Sequence, residues 1–212
     1  NKSAPTKIAF LATLADGTTL HARRLFLATG STDKLPDVTG LTALWGKKAH
    51  MCPYCDAFEY GAKARLGVMV ADEKGLKLAT LMSNWSPEVT VFVDTAKVTP
   101  KDLHPTSKVL PLPEEFTWSG NMEDSITVYV PDESSPNKRK EVVIDGVFLQ
   151  TTHQPQAQLA TQLGAELTYG FISIDVDGMT TVPGVAASGD VAWPKGGQMP
   201  LFQVAQAVGF AA

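Results

Sequence analysis

Residues 66–93 constrain the fold most: they read as an apolar strand (66–70), a helix (75–85) and a second apolar strand (89–93). Two strands joined by a helical crossover within about thirty residues pair in parallel, and a parallel sheet needs cover on its faces. The expectation is therefore an α/β fold. On the N-terminal side, a strand at 8–14, the turn Ala15-Asp16-Gly17-Thr18 and a second strand ending in Leu25-Phe26-Leu27-Ala28 read as a hairpin, because Asp-Gly between apolar runs supplies the positive φ a tight turn needs. A polar connector follows Gly30 and runs to Gly40. Residues 95–122 show no period. Strands are expected at 126–130 and 142–149 around the polar loop 132–140, then a helix at 156–163 stopped by Gly164, strands at 171–176 and 184–187, and a closing helix at 202–212.

The formal charge of −4 disfavours a nucleic-acid partner, since phosphate contacts need a basic surface. Apolar runs are interrupted by charge or glycine within about ten residues, short of the roughly eighteen a spanning helix requires, so no membrane partner is expected. No signal-peptide core is visible at the start, and a cytoplasmic location is the expectation. The chain opens without methionine and stops inside an apparent helix, which reads as a fragment of something longer.

Only two cysteines are present, in Cys52-Pro53-Tyr54-Cys55. With two residues between them the sulfurs can close a small ring, and a first cysteine near a helix N-terminus gains thiolate character from the dipole there, which makes a fast redox couple. Other readings stand beside it. Zinc would need four ligands, and His50 offers one more nearby, but no second ligand pair follows, so no metal site is expected. A purely structural disulfide across so short a loop removes little entropy from the unfolded chain. Glutaredoxins also carry Cys-Pro-Tyr-Cys, but there a long helix follows, whereas Asp56-Ala57-Phe58-Glu59-Tyr60-Gly61 runs quickly into a strand.

Two further segments join the dithiol: Ala28-Thr29-Gly30 at a strand end, and Pro183-Gly184-Val185 leading to Gly189-Asp190 ahead of a helix with Gln203 and Val204. In this order the set resembles the thioredoxin-reductase-like, FAD-dependent pyridine nucleotide-disulfide oxidoreductases, and within them the fungal dithiol oxidases of the gliotoxin and holomycin type. The resemblance implies two dinucleotide-binding, FAD/NAD(P)-like domains with parallel sheets, the FAD pyrophosphate turn falling before residue 1. It places an FAD-binding domain at 1–45 and 146–212 around an NAD(P)-binding-like domain, 46–145, that carries the dithiol. It implies an FAD-dependent thiol-disulfide oxidoreductase in which Cys52 meets substrate, Cys55 faces the flavin, Asp56 moves the proton and His153 assists. Ala28, Thr29, Gly30, Gly189, Asp190, Gln203 and Val204 would hold FAD, and a homodimer acting on a small dithiol or a thioredoxin-like protein is implied.

Physical reasons accompany these assignments. Glycine at 189 permits close backbone approach, the Asp190 carboxylate can accept from polyol hydroxyls, and a helix N-terminus near Gln203 offers free N–H groups. One segment departs from the family. After the strand 66–70, a pyridine-nucleotide site needs Gly-x-Gly-x-x-Gly/Ala so that bare backbone meets the pyrophosphate. The chain has Ala71-Asp72-Glu73-Lys74-Gly75, with two acids where phosphates would lie, Gly75 too late to rescue the turn, and the next strand ends in Val93-Asp94-Thr95 with no arginine for a 2′-phosphate. NADPH is therefore doubtful and O2 is the expected electron acceptor; an NADPH-dependent thioredoxin reductase and a flavin-free, non-catalytic fragment are the alternatives.

Overall fold

The computed structural model of the chain describes residues 10–132, 134–135, 138–197 and 202–209. The chain divides into two units: Leu35–Thr152, and a second built from the flanking pieces that end at Lys34 and resume at His153.

In the Leu35–Thr152 unit five parallel strands run in the order Ala49–His50, Gly146–Leu149, Arg65–Val70, Glu88–Val93 and Lys108–Leu110. Alternation along the strands sends side chains to opposite faces. Leu66, Val68, Val70, Val89, Val91 and Val93 meet Leu76, Ala79 and Met82 of the helix Glu73–Met82. Met69, Phe92, Val147 and Leu149 pack on the other face with Phe116, Ile126, Val128 and Ile144, which belong to an antiparallel sheet ordered Arg139–Ile144, Ile126–Pro131, Glu115–Thr117. The parallel sheet is thus covered on both faces, and each fully buried Val or Leu contributes about 1.5–3 kcal/mol.

Residues 142–149, expected as one strand, are two strands in two different sheets. The break is at Asp145. Its carboxylate accepts from the Arg65 backbone N–H at 2.8 Å, from Arg65 Nη2 at 2.7 Å and from Ser125 Oγ at 2.8 Å, and these bonds, the Arg65 side chain foremost, hold its pKa at about 2. Gly146 then lets the chain pass beneath Tyr60: a Cβ there would lie 2.5 Å from the ring Cζ and 2.8 Å from the hydroxyl. Gly146→Ala is expected to lower stability by about 1–3 kcal/mol, the usual cost of overpacking, read as a lower denaturant midpoint at unchanged slope. An unshifted midpoint would show that Tyr60 moves aside freely.

The stretch 95–122 supplies two edge strands, Lys108–Leu110 and Glu115–Thr117. The helix expected from residue 75 begins at Glu73. The domain boundaries expected after 45 and before 146 need correction: the helix Leu41–Leu44 packs into the core of the dithiol-bearing unit, and Gly146–Leu149 lies inside its sheet between Ala49–His50 and Arg65–Val70. The divisions fall instead at Lys34 and His153.

In the second unit the hairpin pairs Phe10–Thr13 with Thr19–Ala22, closed by Gly17 at φ 85° and by the Thr18 N–H on Asp16 Oδ1 at 2.9 Å. Leu25–Leu27 pairs in parallel with Val185–Ala187. A three-stranded sheet runs Leu167–Thr168, Phe171–Ile174, Ala192–Pro194, and the expected connector contains the strand Ser31–Lys34, paired with Thr152–Pro155. Its core gathers Leu27, Ala160, Ile172, Ile174, Val185 and Val191. The helix of 156–163 is Gln158–Gln162, ended by Gly164 at φ 79°. The last helix is Val204–Gly209, with residues 210–212 outside the described residues. Among the described residues no helix is long and apolar enough to cross a membrane.

Candidate functional site

The dithiol sits where the edge strand Ala49–His50 gives way to a single helical turn, Pro53–Asp56. Cys52 is the N-cap in an extended conformation, Pro53 follows at the position where a missing N–H costs nothing, and the Cys52 carbonyl accepts from the Cys55 and Asp56 N–H groups at 3.2 and 3.3 Å. The turn stacks Cys55 over Cys52, and the Cys55 thiol donates to the Cys52 sulfur at 2.8 Å. That bond is the chief reason the Cys55 pKa is pushed up to about 11, with burial and the charges of Cys52 and Asp56 adding to it. Held by this bond, Cys55 keeps its proton at neutral pH.

Asp56 closes the turn. Its Oδ1 lies 3.3 Å from His50 Nδ1, and the other ring nitrogen of His50, Nε2, is 2.8 Å from the Tyr60 hydroxyl. Burial, reinforced by the negative charges of Asp56, Glu59 and Asp145, raises the Tyr60 pKa far above the ordinary phenol range. The His50 ring rests on Phe148 at 5.5 Å between centroids. Around the sulfurs Tyr54 and Phe58 are 72% and 84% exposed, and Tyr54 meets Trp85 edge-on. Among the described residues no three His, Cys, Asp or Glu side chains converge to hold a metal ion. The sequence shows His50 near the cysteines, but its bond to Tyr60 depends on a strand and a turn meeting in space.

The other predicted residues lie in the second unit. Gly189 and Asp190 form a short 3-10 turn after Val185–Ala187, and with Ala192, Phe202, Gln203, Gln206 and Ala207 they line one cleft. Gly189 has φ 74°, and a Cβ there would meet nothing nearer than Ala207 Cβ at 3.9 Å. Gln203 precedes the last helix instead of lying in its first turn, its carbonyl accepting from Gln206 and Ala207 N–H at 3.1 and 3.0 Å. Val204 is exposed. Ala28-Thr29-Gly30 follows Leu25–Leu27, and Gly30 takes φ 69° with open space where a side chain would be. The Thr29 hydroxyl is engaged with the Gln156 carbonyl at 2.6 Å, so it ties this turn to the chain beyond His153. His153 pairs through Nδ1 with Asp33 Oδ1 at 3.0 Å, and its ring lies 4.0 Å from that of Phe202.

The turn after Arg65–Val70 carries its own carboxylate. Asp72 Oδ1 accepts from the Gly75 N–H at 3.1 Å, so the protein's own carboxylate occupies the start of the helix Glu73–Met82, where a phosphate would have to bind. Gly75 is not merely too late in the turn, as its spacing suggests. A Cβ there would lie 3.0 Å from Val70 Cα, so it provides the close helix-to-strand packing of the last glycine in a dinucleotide fingerprint, whereas Val70 and Asp72 stand at the first two glycine positions. Asp94, at the end of the next strand, is held by Lys97 at 2.9 Å.

Residues 3–209 match the pyridine nucleotide-disulphide oxidoreductase family. The chain belongs to this family. Relatives include a thioredoxin reductase, sirT, of Leptosphaeria maculans, 31% identical over 216 residues that cover 91% of this chain and 61% of the relative. An alkyl hydroperoxide reductase protein of Pseudomonas putida is 27% identical over 203 residues, 92% of this chain and 38% of that protein. Among solved structures, HlmI superposes with a TM-score of 0.73 at 28% identity, covering 95% of this chain and 62% of HlmI. The chain thus spans about three-fifths or less of the length of these relatives. The α/β fold with a parallel sheet is the family's, and enzymes named thioredoxin reductases are among its members.

Proposed function

We propose that this chain belongs to an FAD-dependent dithiol/disulfide oxidoreductase in which Cys52 and Cys55 exchange electrons between a substrate dithiol and flavin, with O2 as the final acceptor. The observation that carries the redox reading is the Cys55 thiol hydrogen-bonded to the Cys52 sulfur within one helical turn that ends at Asp56.

A substrate sulfur attacks the oxidised pair at Cys52 and breaks its S–S bond. The second substrate sulfur then displaces Cys52, leaving a substrate disulfide and the two thiols. Re-forming the Cys52–Cys55 bond breaks two S–H bonds and releases two electrons and two protons. Asp56, next to Cys55 in the turn, would take the Cys55 proton, and a bound FAD would accept the two electrons for delivery with two protons to O2, giving H2O2. FAD, when bound, supplies the two-electron acceptor. The positive-φ glycines at 30 and 189 would let backbone approach such a group, Asp190 and Gln203 line one cleft that would hold part of it, and Ala28, Thr29 and Val204 are added by the family likeness. A small dithiol or a thioredoxin-like protein would suit the exposed Tyr54 and Phe58 around the sulfurs. A homodimer is proposed only by likeness to the family.

NADPH does not fit the Asp72-capped turn, and this favours O2. The second reading, an NADPH-dependent thioredoxin reductase, is supported by the retained Gly75 packing and by relatives of that name. Anaerobic mixing of the flavin-loaded protein with NADPH separates the two. Flavin absorbance should fade slowly or not at all, while a dithiol bleaches it and air restores it. Rapid, stoichiometric bleaching by NADPH would sink the oxidase reading.

A further inference from the structure

Asp56 has a partner the redox reading does not require. A carboxylate can only accept hydrogen bonds, so the ring nitrogen that faces it, His50 Nδ1 at 3.3 Å, must carry the proton. A neutral imidazole has one N–H, which leaves Nε2 bare. The Tyr60 hydroxyl at 2.8 Å must then donate to it. Tyr60 is equipped for this, because burial keeps its phenol protonated. The ring is also fixed in position: His50 is paired with Phe148 across the sheet, stacks on that side chain, and lies edge-on to Tyr60. Tyr60 is itself wedged above Gly146.

We propose that His50 is a positioning residue for Asp56, locked by Tyr60 in the Nδ1–H tautomer so that the carboxylate is held in place to receive the proton the dithiol delivers. This rests on the reading of Cys52 and Cys55 as the redox pair. The charged and titratable groups around the cluster come from four segments, the first three being the helical turn with Asp56, Cys52 and Cys55, the turn after it with Glu59 and Tyr60, and the approach to the strand with Lys48, whose Nζ lies 5.7 Å over the Tyr60 ring. Asp145 acts on Tyr60 from the next strand's start, and the strand Gly146–Leu149 presents only the apolar Phe148 to the His50 ring.

The arrangement is tested in two measurements. Nitrogen NMR of histidine-labelled protein at about pH 8, above the ordinary histidine range, should show His50 as the Nδ1–H tautomer, assigned by its loss in His50→Asn. In Tyr60→Phe the ring should leave that tautomer. In flavin-loaded protein, His50→Phe keeps the ring packing but removes the donor. The acid limb of dithiol-to-flavin electron transfer should then move to higher pH, because the N–H that faces the carboxylate is gone. His50→Asn, whose amide nitrogen sits near the place of Nδ1, should restore the limb. An Nε2–H tautomer in the unaltered protein, or a limb that stays put in His50→Phe, overturns the proposal. The tautomer result stands even if His50→Phe fails to fold. An unaltered protein whose flavin no dithiol reduces overturns the redox reading itself, and the proposal with it.

Discussion

Cys55→Ser in the flavin-loaded protein is expected to abolish reduction of the flavin by a dithiol, because without that sulfur no disulfide can re-form and no electron pair leaves the site. Cys52→Ala should be equally inactive with substrate, yet leave one thiol able to lie against the flavin. The Cys55 pKa of about 11 comes first from its bond to Cys52. Removing Cys52 should therefore bring Cys55 down toward the ordinary thiol value of about 8.5, so its thiolate forms at lower pH than in the native pair. Long-wavelength absorbance of a thiolate beside oxidised flavin, followed against pH, reads this directly. Appearance of that band in Cys55→Ser and its absence in Cys52→Ala would reverse the roles of the two sulfurs.

The next largest effect is expected at Asp56. Asp56→Asn preserves shape and can still meet His50, but it cannot accept a proton. Loss of general acid–base help should slow dithiol-to-flavin transfer by about 10²–10⁴-fold with little change in substrate affinity. The flavin spectrum and the unfolding midpoint should be unchanged. A rate equal to that of the unaltered protein across the pH range would remove Asp56 from the chemistry.

Legibility of these features in the sequence follows the range of the interactions that make them. The strands Arg65–Val70 and Glu88–Val93 with the helix between them are local patterns with apolar runs, and they appear where expected except that the helix, expected at 75–85, runs Glu73–Met82. Cys52, Cys55 and Asp56 are adjacent in sequence, so a single turn suffices to assemble them. The break at Asp145-Gly146 carries the same Asp-Gly mark as the N-terminal hairpin, but that the two halves enter different sheets depends on Arg65, eighty positions away, which holds the Asp145 carboxylate. Lys108–Leu110 and Glu115–Thr117 are three-residue edge strands among prolines, too short to show a period. The bonds from His50 to Tyr60 and from His153 to Asp33 join different elements, and neither spacing nor composition carries them. Asp72 lies between these extremes. Its charge is readable as a repulsion, but its capture of the Gly75 N–H is a matter of geometry.

The dithiol segment also has a particular relation to the core beneath it. From Met51 to Tyr60 only Pro53 and Ala57 are buried, and the segment hangs from a strand of two residues at the sheet's margin. The hydrophobic interior therefore places few demands on the identity of residues 54, 58 and 59. Such a scaffold lets the surface around the sulfurs be altered at those positions without disturbing the sheet, the cysteines or the contact of Asp56 with His50.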